Sequence, residues 1–565
     1  MKILSSFKKF LWIVLLYVPF FSFARGKNEL VKNGHWIYDA LAAVSMEEGR
    51  LDFTDRSPLS VGEILFFLDE AEYSSLSSAG KLQYDRIKNY CSQESFEFGP
   101  DFIKLGFEVE LNAEGYYKQN DDDDLEWNYG RYDKGDFLYI PVKIEGADYF
   151  TMMFEGKLAL NKNTKEDNDN FLSVPLAADE IDINFPDTGY FSTSHNFTEN
   201  AALTFQIGRG ASDFTRSLTG SIVQSRYFTG SSYLELGFYT PNFRYSMNVN
   251  QFNVDKYLYS HEINFRFFKK LQFTARESLL VFAPMELRYL NPWTIYHGFA
   301  AWRDYGSNES NTCDYLALKL AYTPVKFLRL YGEFAMTQFQ TVYETSNFKD
   351  DTTPNGLAFQ GGIESFVPCN DGYFHFWLEG TYTDAYMYIK ESPDWSMVRN
   401  YRENLGDTKY VFYEWIGTPF GPDTVSGKLS IEYEKPAKWS LGASYLLKAC
   451  GKNSGTKIFK NLGWHEGNEY VIDDSDDGKK NRENWIFPDS DSQGSDEAKK
   501  RQKASTPSGT NEYVNVVSLR GTFSPKENIT FVFQPSYTFI INYNNESGRN
   551  ENGFEVAFAA NIKIL

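Results

Sequence analysis

Between Leu290 and Tyr305 the chain reads LNPWTIYHGFAAWRDY, a stretch whose residue types could hold a sugar. The apolar faces of pyranose rings stack on aromatic side chains such as Trp293, Tyr296, Trp302 and Tyr305. His297, Arg303 and Asp304 lie beside them and suit hydroxyl and uronate groups, because hydrogen bonds to charged partners are the strong ones. Trp293, Tyr296, His297, Trp302, Arg303 and Asp304 are therefore the candidate glycan-binding set. The same rings also suit an aromatic girdle at a membrane interface. Chemistry beyond binding finds little to work with. Six histidines occur without an H-E-x-x-H pair, and the sequence has no G-x-S-x-G elbow. An exported hydrolase would have to assemble its site from distant strands. The expectation is a protein that is not an enzyme and carries no cofactor and no metal.

A second set of polar residues lies within alternating segments. Glu262 and Arg266 oppose Phe265 and Phe267; Arg276 opposes Phe273 and Ala275; Glu286 and Arg288 oppose Leu287 and Tyr289. Arg329 and Glu333 oppose Leu328, Leu330 and Phe334, and Glu379 stands with His375 and Trp377 against Phe374, Phe376 and Leu378. Period two is the mark of a strand, whose side chains point to opposite faces. If one face meets lipid, each Arg or Lys turned outward costs about 2–4 kcal/mol at mid-bilayer, so the charges must face a lumen. There they either pair into a filling network or line a path for a polar solute.

The elements that position these residues are short strands. The last, Phe554 to Leu565 (FEVAFAANIKIL), puts Phe554, Val556, Phe558, Ala560, Ile562 and Ile564 on one face. Glu555, Ala557, Ala559, Asn561 and Lys563 fall on the other. Similar segments recur from Asp101 to the end of the chain. Aromatics make up 17% of residues while mean hydropathy is −0.46, and beyond the leader no run approaches the ~18 apolar residues of a helical span. That combination excludes a helical membrane protein and fits an all-β transmembrane barrel of antiparallel strands, in which the final strand must pair with the first.

Met1 to Ala24 reads as a signal peptide, with Lys2, Lys8 and Lys9 before the apolar run Phe10 to Phe23. No Cys near the cleavage site supports a lipid anchor. Removing the three lysines takes the net charge from −20 to −23, which argues against nucleic acid. Residues 25–100 read as a small helical domain. Trp36 to Glu48 closes at Gly49, Ser60 to Glu63 forms a capping box, and a third helix starts near Ser75. Residues 101–565 are the barrel. Gly451 to Glu512 is a polar insert too poor in apolar residues for a core and is expected outside the cell. Asn120 to Asp124 carries four aspartates and reads as a solvated loop, with calcium as the sharper alternative. Cys91, Cys313, Cys369 and Cys450 have no C-x-x-C spacing; a Cys313–Cys369 bridge is one of three pairings the four cysteines allow.

Gly208-Arg209-Gly210, Leu218 to Arg226 (LTGSIVQSR), Glu277 to Leu280, Leu290 to His297, Leu330 to Glu333 and Gly417 to Asp423 follow one another in a recognisable order. In that order the chain resembles the Wzi-type capsule-assembly family of outer-membrane proteins, loosely and over most of its length. The resemblance implies about 18 strands, a periplasmic helical bundle, and attachment or assembly of a surface polysaccharide. The large insert and the terminal Leu565, in place of an aromatic residue, depart from the pattern. Expected partners are a surface polysaccharide, outer-membrane lipid and the barrel-assembly machinery, with a monomer as the working unit. The competing function is a porin or solute channel with a charged lumen.

Overall fold

The computed structural model describes residues 22–92, 94–100, 102–119, 135–160, 173–175, 181–183, 186–296, 312–339, 341, 343, 354–389, 396–405, 408–457 and 505–564. Eighteen antiparallel strands, from Glu110–Lys118 to Asn550–Lys563, close into a barrel. Closure is made by the outermost pair, which run from Glu555 opposite Lys118 to Lys563 opposite Glu110. That pairing joins the last strand to the first, which is how a barrel removes the open edge of a sheet. Four short strands, Ser22–Ala24, Glu94–Phe98, Lys104–Phe107 and Ile181–Ile183, attach around the first barrel strands. Residues 1–21, most of the expected signal peptide, lie outside the described residues, as does the aspartate run of residues 120–124.

Parity decides the two faces. In the last strand Phe554 and Phe558 are exposed on the outer wall, whereas Ala557 and Ala559 are buried inward. Leu441, Leu447, Leu519, Phe533 and Phe539 continue the exposed apolar band. At one end the strands are joined by short turns, several of them closed by residues of positive φ such as Ala147, Lys269, Asn370 and Ala437. Long connections gather at the opposite end. Asp423 pins the two roots of the long insert there: its carboxylate accepts from the N–H groups of Asn453 and Ser508 at 3.1 and 2.9 Å. Residues 458–504 lie outside the described residues.

Three helices, α1 (Trp36–Glu48), α2 (Val61–Leu68) and α3 (Ser78–Ser92), form the N-terminal bundle. Gly49 ends α1 with φ 71°, a left-handed cap that costs glycine nothing. Ser60 and Glu63 make a reciprocal capping box on α2, an N-cap worth about 1 kcal/mol. Val31, Ile37, Leu41, Val44, Ile64, Leu68 and Ile87 share one small core. A core of that size is marginal alone and gains by docking. The bundle caps the short-turn end: Leu51 N–H donates to Lys269 O at 2.7 Å and Phe327 N–H to Met46 O at 2.6 Å. Ala43, Met46 and Ala79 pack on Phe366 and Tyr373. No disulfide joins Cys91, Cys313, Cys369 or Cys450, so the Cys313–Cys369 pairing is not formed.

Candidate functional site: a plugged lumen and its residual cavity

Residues 211–230 (ASDFTRSLTGSIVQSRYFTG) connect two strands, yet they turn into the lumen instead of standing outside it. A segment placed there must satisfy its backbone from the wall, because buried unpaired N–H and C=O groups are costly. Glu379 accepts from the N–H groups of Leu218 and Thr219 at 2.9 and 2.8 Å, and from the hydroxyls of Thr219 and Tyr331. Glu333 accepts from Ser221 Oγ at 2.8 Å and Ile222 N–H at 3.2 Å. Tyr315 and Tyr388 both donate to Ile222 O, at 2.7 and 2.6 Å, and Gln360 donates to Gly220 O at 3.0 Å. Arg276 donates to Gln224 at 2.6 Å. Phe214, Ile222 and Val223 share an apolar core with Phe228, Leu280, Tyr315, Met387 and Trp415, so the plug is packed as well as bonded.

The stretch between α1 and α2 enters the lumen from the other side. Asp55 meets Lys319 at 3.0 Å and Arg329 at 3.5 Å; Arg56 meets Glu235 at 2.7 Å and Glu262 at 3.6 Å. Burial opposes ionisation of Asp55, but Lys319 and Arg329 outweigh it and hold the carboxyl below its ordinary range. Arg329 also pairs with Glu364 at 3.0 Å, and Arg266 with Glu70 of the bundle at 2.9 Å. Glu262, Arg266, Arg276, Arg329, Glu333 and Glu379 are thus inward and engaged with plug or bundle. Glu286 and Arg288 are not. They bond each other at 2.6 Å around a 3-10 turn, Leu287–Leu290, beyond the strand that ends at Phe282. Their local alternation belongs to a turn, where period two has no fixed inside.

The aromatic set divides as well. Tyr296 is fully buried, with its hydroxyl donated to Tyr289 O at 2.9 Å, so no sugar face reaches that ring. Trp293, three residues earlier, is exposed. His297, Trp302, Arg303 and Asp304 lie outside the described residues.

Plug and bundle fill one side of the lumen. Beside them remains a cavity of about 1720 Å³, beyond the roughly 300–1,000 Å³ of ordinary small-molecule sites. Arg86, Pro436, Ala437 and Asn528 line it at the turn end, and Asp136, Asp187, Arg209 and Gly230 at the loop end. Tyr139, Tyr190, Tyr233, Trp36 and Trp377 contribute rings. Charges in its wall come largely as pairs: Lys143 meets Glu29 and Glu108, each at 2.7 Å, and Arg25 meets Glu108 at 3.0 Å. Burial alone would raise the Glu108 carboxyl, but Lys143 and Arg25 carry it down to about 2. His35 is lowered as well, from 6.5 to about 3, first by burial and then by Lys563 and Arg25. The cavity wall thus sets aromatic rings beside ion pairs held in fixed positions. Among the described residues, no cluster of three or more His, Cys, Asp or Glu is arranged to hold a metal.

Asp55, Arg56, Arg216, Lys319 and Glu364 belong to this network and were not singled out by alternation. One signal was present. In an acidic chain, residues 211–230 carry a single acid, Asp213, among hydroxyl and apolar residues, a composition poorly suited to a surface loop.

A closed eighteen-stranded barrel, an apolar outer belt and a helical cap define an outer-membrane β-barrel protein whose lumen is occupied by its own chain. Among solved structures it is similar to Wzi, described as an outer-membrane protein involved in group 1 capsule assembly in Escherichia coli and a carbohydrate-binding β-barrel. Identity is 12%, coverage 95% of this chain and 99% of that one, and the TM-score 0.55. At that identity the likeness shows the fold. OmpT of Vibrio cholerae (9% identity, 83% and 99% coverage, TM-score 0.31) and the outer-membrane channel DcaP of Acinetobacter baumannii (8%, 82% and 99%, 0.34) overlap too weakly to argue from. No protein-family model and no curated protein matches the sequence.

Proposed function

We propose that this protein attaches or assembles a surface polysaccharide at the outer membrane without catalysing a reaction, with the helical bundle in the periplasm and the long loops outside the cell. The observation that carries the reading is the lumen: a plug bonded into the wall beside a cavity of about 1720 Å³ lined by rings and ion pairs. A plug held by buried carboxylates favours a seated ligand over free flow of solute. The Wzi barrel, described as carbohydrate-binding, supports the same assignment. Insertion by the barrel-assembly machinery and a monomeric working unit belong to the proposal. Deleting the gene should strip polysaccharide from the cell surface and leave uptake of small solutes unchanged. Unchanged surface polysaccharide would overturn the reading.

A channel is the second reading, favoured by residues of both barrel ends lining one cavity. Planar bilayers separate the two. A seated plug is silent, whereas stable open currents from the unmodified protein would establish the channel.

A further inference from the structure

On three neighbouring strands, Phe243–Asn253, Lys256–Phe267 and Leu271–Phe282, the outward face changes character half-way up. Toward the turn end Ile263, Phe265, Phe267 and Phe273 are exposed and continue the apolar band. Toward the loop end the same parity turns Met247, Val249, Tyr259, His261, Leu279 and Val281 outward, yet all six are buried. His261 and Glu277 face each other across two strands on this outer wall. Left bare, that polar pair would interrupt a lipid-facing surface.

The cover is the segment that follows, residues 283–296. Tyr289 and Tyr296 pack on Val249, Tyr259, Leu279 and Val281. The Tyr296 ring stacks on His261 with centroids 4.3 Å apart, and its N–H donates to Glu277 at 3.1 Å. Glu286 N–H donates to Tyr259 Oη at 3.1 Å, and Tyr245 Oη to Pro292 O at 3.4 Å. The segment therefore runs back down the outer wall. Tyr296 meets the wall at Glu277, five residues below the strand's end at Phe282, roughly 16 Å along a strand. An apolar belt is only about 25 Å tall.

The outer side of this cover is mostly apolar, with Asn291 its exposed polar exception. Leu287 is 81% exposed, Trp293 90% and Ile295 69%. The charges of Glu286 and Arg288 are spent on each other.

We propose that residues 283–296 form a membrane-seated strap. Leu287, Trp293 and Ile295 meet the lipid of the bilayer at its loop-side interface and restore the belt that His261 and Glu277 break. Lipid is the partner because the strap's outer face continues the exposed band of Ile263, Phe265 and Phe273 on the very strands it covers. The strap removes Trp293 from the loops open to water, and the inference stands whether or not the protein binds a glycan.

The test places a nitroxide at Ile295→Cys in the full chain, refolded into dioleoylphosphatidylcholine vesicles. Phe265→Cys serves as the lipid reference and Ser547→Cys, in the exposed loop of residues 542–549, as the aqueous one. Labelling of the unsubstituted protein corrects for the native cysteines. The ratio of collisions with oxygen to collisions with a water-soluble nickel chelate should be about tenfold higher at Ile295 than at Ser547, as at Phe265, because oxygen partitions into hydrocarbon and the chelate does not. A ratio matching Ser547 overturns the strap. So does shielding from both reagents with spin–spin broadening, which would mean a second copy covers this face. Leu287→Cys, on the other limb of the segment, repeats the measurement should Ile295→Cys fail to fold.

Discussion

Replacing Glu379 by Gln keeps the shape of the side chain and removes the anchor of the plug. Four donors converge on that carboxylate: the N–H groups of Leu218 and Thr219, and the hydroxyls of Thr219 and Tyr331. Glutamine offers one carbonyl oxygen, and its NH₂ group turns a donor toward donors. A hydrogen bond to a charged group contributes about 1.5–3 kcal/mol, and a buried donor left unpaired costs about 1–3 kcal/mol. With the hydroxyls free to rotate to other acceptors, the net loss is about 2–3 kcal/mol, roughly a 30- to 150-fold rise in the open population of the plug. Amide hydrogen exchange reads that population directly. Exchange in residues 218–222 should accelerate by this factor while Glu512–Lys526, three strands round the barrel from the strand that carries Glu379, keeps its protection and the barrel keeps its heat-modifiable migration. Unchanged exchange at residues 218–222 in a folded variant would refute the assignment of Glu379 as the anchor.

Removing Arg329 as Arg329→Met leaves Glu364 and Asp55 short of a partner in a buried network and should cost about 3–5 kcal/mol, seen as a lower unfolding temperature. Lys27→Met, which breaks only the exposed Lys27–Asp148 pair, should cost at most about 1 kcal/mol. Glu108, carried from 4.5 down to about 2 in the fold, contributes stability that is complete above pH 4.5 and is lost as pH falls toward 2. An acid titration of bundle exchange should show loosening across that window, and Glu108→Gln should flatten it. Protease added to intact cells should cut within Gly451 to Glu512 and spare the barrel; protection until lysis would invert the topology. Trp293→Leu should retain as much surface glycan per folded barrel as Trp439→Leu, since Trp293 sits on the outer wall; selective loss in Trp293→Leu would return that ring to the glycan.

What a strand or a helix end requires was legible in the residues themselves. The alternation of FEVAFAANIKIL assigns Phe558 outward and Ala559 inward because a strand turns its side chains by a fixed step, whatever lies around it. Ser60 and Glu63 announce the start of α2 because the two bonds of a capping box are local. The charges of Arg329, Glu333 and Glu379 could be given a side for the same reason. Their partners could not be named. Glu379 meets Thr219 across 160 positions and Arg329 meets Asp55 across 274, and nothing local to either residue specifies such a neighbour. The plug, the cavity beside it and the cover over His261 depend on where a closed barrel brings distant segments together. Tyr296 shows the difference most plainly. By type and spacing it could stack on a sugar as well as Trp293 could, and only the return of its segment along the outer wall buries the one ring and leaves the other exposed.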